Sequence, residues 1–292
     1  MARPDSLAEY PFTPRFFAIN GHRLAYLDEG DGPPVVMVHG NPSWSYLYRN
    51  LVLGLREQYR CIVPDHMGCG FSDKPQTYAY RLATHIDNLE LLLDHLGISR
   101  CVLVMHDWGG AIGMGWAGRH PERVAGLMVF NTAAFRSRRM PLRIAVCRWP
   151  LLGPMLVCGL NGFARAATVM AVKQRMRPEI AQSFLAPYDS WRNRIGLLRF
   201  VQDIPMRPDH PSWTTLAEVE AGLDRLRDHP MLLCWGGHDF CFNDYFYDEW
   251  RRRFPKAQAH NFPDAGHYLL EDALVGIKPL IASFLRRFWS AP

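Results

Sequence analysis

Short runs of purely apolar residues alternate along the chain with longer stretches whose apolar positions recur at helical spacing. The runs VVMV (35–38), CIV (61–63), VLVM (102–105), LMVF (127–130) and MLLCW (231–235) have no polar face. A strand that is apolar on both sides must be covered on both sides, which is the condition of a parallel sheet between helical layers. The pattern predicts strands at 15–19, 23–26, 34–38, 61–64, 102–105, 126–130, 231–235 and 257–262. It predicts helices at 44–55, 84–96, 108–119, 244–253 and 269–288. The expected architecture is α/β: an eight-stranded, mostly parallel sheet flanked by helices and joined by right-handed crossovers.

The alternation breaks between 133 and 215, a segment rich in Met, Leu, Ala and Arg with helical spacing. It reads as a helical cap inserted into a core domain formed by 1–132 and 216–292. Its apolar positions, among them Leu142, Ile144, Trp149, Leu151, Leu152, Met155, Phe163 and Met170, read for the most part as cap core at helical spacing. Some are expected to face a lipophilic substrate. Charge separates the segment from its flanks. It carries 13 Arg/Lys against 4 Asp/Glu, within a chain of 292 residues whose net charge is +5. The surplus reads first as a solvated face, with contact to anionic membranes or an acidic partner as the rival. No nucleic-acid-binding motif accompanies it, so no nucleic-acid partner is expected.

Seven scattered cysteines without C-x-x-C spacing point to reduced thiols and no zinc site. The N-terminal MARPDSLAEYPFTPRFF has charge but no apolar stretch. A cytoplasmic location is the expectation.

In a sheet of this kind, ligands bind beyond the C-terminal strand ends. Those ends carry His39-Gly40-Asn41-Pro42, Asp65-His66, His106-Asp107-Trp108, Asn131-Thr132 and Gly236-Gly237-His238-Asp239, and a late loop adds Asp264-Ala265-Gly266-His267. The segment VLVMHDWGGA (102–111) is an apolar strand running into a sharp turn and a Gly-rich helix start. That is the nucleophile elbow of α/β-hydrolases, usually G-x-S-x-G, with Asp107 where serine is expected. Gly109 and Gly110 meet the demand for small neighbours, whereas Met105 is larger than the pattern asks. A carboxylate at the apex needs no base to ionise it and can attack an electrophilic carbon to form an ester.

His267 stands after the nucleophile in chain order, as this fold requires of the base. The acid that orients it should follow one of two strands. No carboxylate follows the strand ending at Phe130, so Asp239 is the pick and Asp244 the second candidate. The backbone N–H groups of Asn41 and Trp108 are placed to meet developing negative charge, and their side-chain N–H groups to meet a departing anion such as halide. Trp44 is a further candidate for the pocket wall.

HGNPSWSYLYRNL, CIVPDHMGCGFSDKP, HDWGGAIG and GHYLLED resemble core segments of the haloalkane dehalogenase family, over about residues 10–285. Asp239 with Asn41 and Trp108 is similar to the third subfamily, which includes β-lactone decarboxylases of long-chain olefin biosynthesis. The cap segments NTAAF and APYDSWRNRIGLLRFVQDIP and the later GGHDFCFND resemble that group closely. The resemblance implies Asp107 as nucleophile, His267 as base, Asp239 as supporting acid, and Asn41 with Trp108 as the halide-binding pair. It implies a small lipophilic substrate, a halide product, a homo-oligomer, and no cofactor or metal. Dehalogenation is the first expectation. Decarboxylation of a cis-3,4-dialkyl β-lactone to a cis-alkene is the alternative.

Epoxide hydrolases share the elbow but use cap tyrosines, and the segment 133–215 holds only Tyr188. Fluoroacetate dehalogenases carry Arg after the nucleophile, where this chain has Trp108. A non-catalytic binding module conflicts with so complete a set of residues.

Overall fold

One sheet of eight strands organises the protein, whose computed structural model describes residues 7–289. The strands are β1 Arg15–Ile19, β2 His22–Glu29, β3 Pro34–Val38, β4 Arg60–Pro64, β5 Cys101–Asp107, β6 Val124–Thr132, β7 Met231–Gly236 and β8 Gln258–Phe262. Their order is β1-β2-β4-β3-β5-β6-β7-β8. β1 and β2 pair antiparallel, as do β2 and β4, and every other pairing is parallel. The expected mostly parallel eight-stranded sheet is what forms. Every residue of β5, β6 and β7 is buried, as the two-sided apolar pattern requires. The strand order reverses between β3 and β5, and the loops beyond their carboxyl ends carry Asn41 and Asp107, at the topological switch point of the sheet.

The expected helices 108–119 and 244–253 form as Trp108–Arg119 and Asp244–Arg253. The stretch 44–55 opens as a 3₁₀ turn, Ser45–Tyr48, before the α-helix Arg49–Leu55. The expected single helix 269–288 is instead two, Leu269–Asp272 and Leu274–Leu285. The first turn is held elsewhere. The Asp272 carboxylate accepts the backbone N–H groups of Lys173, Gln174 and Gly266 at 2.8–2.9 Å, tying it to the β6–β7 insertion and to the His267 loop. The chain bends at Ala273 (φ −126°, ψ 16°) before the second helix starts.

Between β6 and β7 lie short helices, including Leu142–Ala145, Gly162–Met170, Pro178–Leu185, Ile195–Gln202 and Trp213–Gly222. Trp213–Gly222 runs across residue 215, where the inserted segment was expected to end, and packs on Trp108–Arg119. Several apolar positions expected in the cap core are on the surface. Leu142, Trp149, Leu151, Leu152, Met155 and Met170 are all at least 40% exposed. They lie on separate short helices and in the turn at Trp149–Leu151, and the fold leaves them in solvent.

The elbow is built on close approach. A Cβ added at Gly109 would lie 1.9 Å from the Val38 carbonyl oxygen, a backbone atom that cannot swing aside. Gly54, in the helix Arg49–Leu55, meets nothing closer than the Lys278 Cε at 3.8 Å. Gly109→Ala is therefore expected to cost about 3 kcal/mol. Gly54→Ala, the same chemical change, should stabilise by about 0.5–1 kcal/mol through helix propensity. Urea midpoints of the two variants check the opposite signs.

Candidate active site

Asp107 closes β5 and opens the helix Trp108–Arg119 in a conformation that L residues rarely take, φ 53° and ψ −126°. Such strain persists only where the surroundings impose it. Thr132 Oγ1 donates to the Asp107 backbone carbonyl, locking the turn to β6. The Asn41 backbone N–H donates to Asp107 Oδ1 at 2.6 Å, and the Trp108 N–H is a second donor to the carboxylate. Two backbone donors thus reach the carboxylate. Oδ2 faces His267 Nε2 at 3.8 Å, beyond hydrogen-bond reach.

His267 Nδ1–H donates to Asp239 Oδ2 at 2.7 Å. Asp239 Oδ1 accepts the Cys241 N–H at 2.7 Å, and Asn131 Nδ2 donates to Oδ2 at 3.0 Å. Burial opposes ionisation of Asp239, yet His267 and these donors hold its pKa below the usual carboxylate value. Burial likewise disfavours the His267 imidazolium, but the neighbouring Asp239 and Asp107 carboxylates raise its pKa above the ordinary imidazole value. For Asp107 burial dominates and its pKa is raised, against the pull of His267 and the two backbone N–H groups.

The structure brings Asp107, His267 and Asp239 together and leaves Asp244 on a neighbouring helix start, without a bond to His267 among the described residues. Asn41 Nδ2 donates to the Leu197 carbonyl at 3.1 Å, which uses one of its two hydrogens. The Trp108 indole N–H has no protein partner among the described residues, and its ring lines the cavity beside Asp107. Trp44 does not line the cavity. It is buried, stacks on Tyr46 and donates its indole N–H to the Phe184 carbonyl. Tyr188 is buried at the Ser43 carbonyl and also lies outside the cavity wall.

Two residues that the sequence placed at strand ends, without a role, support the site. Asn131 (φ 31°) stands where no carboxylate follows β6. Its amide joins Asp239 Oδ2, the Gly236 carbonyl and the Gly236 N–H, bracing the β6 end against the loop after β7. His106 Nε2–H donates to the His267 backbone carbonyl at 2.8 Å, and burial pushes its pKa down to about 3, so it serves as a neutral strut. Their strand-end position was the signal for both, and the sequence held nothing that assigned them these bonds.

The cavity over Asp107 has a volume of about 360 Å³. Apolar side chains such as Phe135, Ile144, Leu156, Phe163 and Val201 form most of its wall. Among the described residues no His, Cys, Asp or Glu cluster could hold a metal ion. The arrangement presents a desolvated carboxylate, two anion-facing N–H donors and a carboxylate-supported imidazole to an apolar guest. That is the equipment for attack on a saturated or acyl carbon with expulsion of an anion.

The α/β-hydrolase fold model matches residues 33–274. The chain is a member of the α/β-hydrolase fold family. Within it, a cis-3-alkyl-4-alkyloxetan-2-one decarboxylase of Shewanella oneidensis is 49% identical over 90% of this chain and 85% of that protein. A protein of the same name from Xanthomonas campestris pv. campestris is 44% identical over 95% of this chain and 97% of its own. Haloalkane dehalogenase 2 of Mycobacterium tuberculosis is 32% identical over 90% of this chain and 92% of that one. Among solved structures, the haloalkane dehalogenase DbeA of Bradyrhizobium elkani superposes with a TM-score of 0.87 at 26% identity, covering 95% and 98% of the two chains. This hydrolase-fold chain thus resembles proteins named for two activities, and the lactone-named ones are the more similar.

Proposed function

We propose that this protein decarboxylates cis-3,4-dialkyl β-lactones to cis-alkenes, and that it displaces halide from alkyl halides as a secondary activity of the same site. The first expectation from sequence put these two the other way round. What favours the lactone is the likeness of 44–49%, over 90% or more of the chain, to proteins named for that reaction, against 32% for the dehalogenase. The geometry serves both.

Asp107 Oδ2, the oxygen turned away from the Asn41 N–H, attacks C4 of the lactone. The C4–O bond breaks with its electron pair, leaving an alkyl ester of Asp107 and a carboxylate on C3. The C3–carboxylate bond then breaks as carbon dioxide leaves. Its pair forms the C3=C4 double bond, and the ester C4–O bond breaks to restore the Asp107 carboxylate. No water or net proton is consumed. Inversion at C4 followed by anti elimination converts a cis-lactone into a cis-alkene. The free Trp108 indole N–H and the remaining Asn41 amide hydrogen are the donors for the freed carboxylate.

With an alkyl halide the same donors take the departing halide. Water, deprotonated by His267, then attacks the Asp107 carboxyl carbon, with the negative charge forming on Oδ1 against the Asn41 and Trp108 N–H groups. Asp239 holds the His267 tautomer and supports the imidazolium.

The test is competition. The purified protein receives a 1-bromoalkane and a cis-3,4-dialkyl β-lactone together, with free bromide and alkene followed in time. Alkene is expected to dominate. Bromide release outpacing alkene formation overturns the order proposed.

A further inference from the structure

The cap surface over the cavity carries an apolar patch inside a purely basic stretch of chain. Leu142 is 75% exposed, Trp149 52%, Leu151 85%, Met155 55% and Leu160 63%, and all of them fall within nineteen residues. Trp191 (47% exposed) extends the patch. A Cβ at Gly159 would sit 3.3 Å from its ring and 3.9 Å from Met155 Cε, so the three are neighbours. Leu142 and Met155 lie on the helices Leu142–Arg148 and Leu152–Gly159, which meet at 107°, with Trp149 and Leu151 in the turn between them. Among the described residues no single helix is long and apolar enough to cross a membrane. The geometry suits lying on a surface.

Charge says which surface. From 123 to 178 the chain has ten Arg/Lys and no Asp or Glu. Arg136 pairs with Glu220, and Arg177 with Glu9 and Glu179. Arg138, Arg139, Arg143, Arg148 and Arg165, from the same stretch of chain, form no ion pair with a carboxylate among the described residues. Arg139 and Arg143 instead lie over the Tyr245 and Phe240 rings at 4.2 and 4.5 Å. Exposed Leu, Met and Trp in one stretch with unpaired Arg is the composition of a face that rests in the headgroup layer of an anionic bilayer. The two exposed tryptophans suit the interfacial zone.

The same inserted segment reaches the cavity mouth. Arg139, Arg143, Ala166 and Met170 line the cavity and also reach solvent. We propose that the cap docks on anionic lipid bilayers through Trp149, Leu151, Leu152 and Met155 with the arginines of the same stretch, setting the cavity mouth against the acyl region so that a lipophilic substrate enters from the membrane. The docking face does not depend on which reaction the site performs. A second copy of the chain is the competing occupant. A basic segment meeting its own like would place unpaired arginines against one another, whereas an anionic headgroup layer neutralises them.

The experiment is co-sedimentation with vesicles of phosphatidylcholine alone and of phosphatidylcholine mixed with phosphatidylglycerol, alongside light scattering of the free protein. Binding to the mixed vesicles, weakened by added salt and weak on neutral ones, is expected. Leu151→Asp and Trp149→Asp should each weaken it about tenfold, and Arg148→Glu about fivefold or more. Val275→Asp, at an 88% exposed position on the C-terminal helix, is the control for adding surface charge and should change nothing. Thermal melts confirm that each variant is folded, since none of the four side chains lines the cavity. Failure of the wild type to sediment with anionic vesicles overturns the proposal. So does equal loss in Val275→Asp. A stable dimer that ignores vesicles and that Leu151→Asp dissociates would assign the face to a subunit interface instead.

Discussion

Asp107→Asn is expected to abolish alkene formation and bromide release together, each by about 10⁴-fold or more, with no loss of stability. The amide has the carboxylate's shape, and its oxygen can still accept the Asn41 N–H now at 2.6 Å from Oδ1. What disappears is the negative charge and the free electron pair on Oδ2. A neutral amide does not displace a lactone oxygen or a halide, and losses of this size follow removal of a nucleophile in other hydrolases. Burial already disfavours the Asp107 carboxylate, so a neutral residue removes a desolvation cost from the folded state. The urea midpoint should therefore stay level or rise. Both rates falling while the midpoint holds identifies Asp107 with the chemistry of both substrates. Full turnover in the variant would place the nucleophile elsewhere and return the non-catalytic reading of the elbow to contention.

The fold was legible because its strands are apolar on both faces. All eight appear where the pattern puts them. Their ends were less legible, since hydrogen-bond ladders continue into polar residues that hydropathy does not count. β5 was expected to stop at Met105 and runs on through His106 to Asp107, and β6 runs on to Thr132. Those extra residues are the ones that matter to the site. Met105 looked too large for the elbow. The structure makes room for it with Gly113, where a Cβ would lie 2.6 Å from the Met105 sulfur. Asp239 could be picked by chain order, but its partner Asn131 could not, because an amide that braces a carboxylate leaves no spacing signature. The segment inserted between β6 and β7 was read least well. Periodicity reports which residues share a face, and whether that face meets protein or solvent is decided by what folds over it. Trp149 and Leu151 sit in the turn between two short helices and remain exposed.

His267→Ala is expected to separate the two reactions that Asp107→Asn cannot. In the halide route the histidine is needed after the ester forms, to deprotonate the water that cleaves it. The variant should release about one equivalent of bromide per site and then stop, with the alkyl ester retained on Asp107 and visible as added mass on the intact protein. In the lactone route no water is consumed. The ester collapses by loss of carbon dioxide, so alkene should continue past one equivalent. It should do so more slowly, because the imidazolium favoured by Asp239 and Asp107 no longer offsets the buried carboxylates. In the wild type the raised His267 pKa has a second consequence. Neutral imidazole, the base for water, is depleted as pH falls through a value above the usual 6.5, so bromide turnover should decline on the acid side first. Alkene formation, which needs no neutral base, should hold to lower pH, until protonation of Asp107 removes the nucleophile. The comparison is made by measuring both products across pH in wild type and His267→Ala. Loss of alkene in the variant, with the lactone-derived ester retained as added mass on Asp107, or release of a β-hydroxy acid in place of alkene by the wild type, would mean that hydrolysis and not elimination frees Asp107, and the route proposed for the lactone would be wrong.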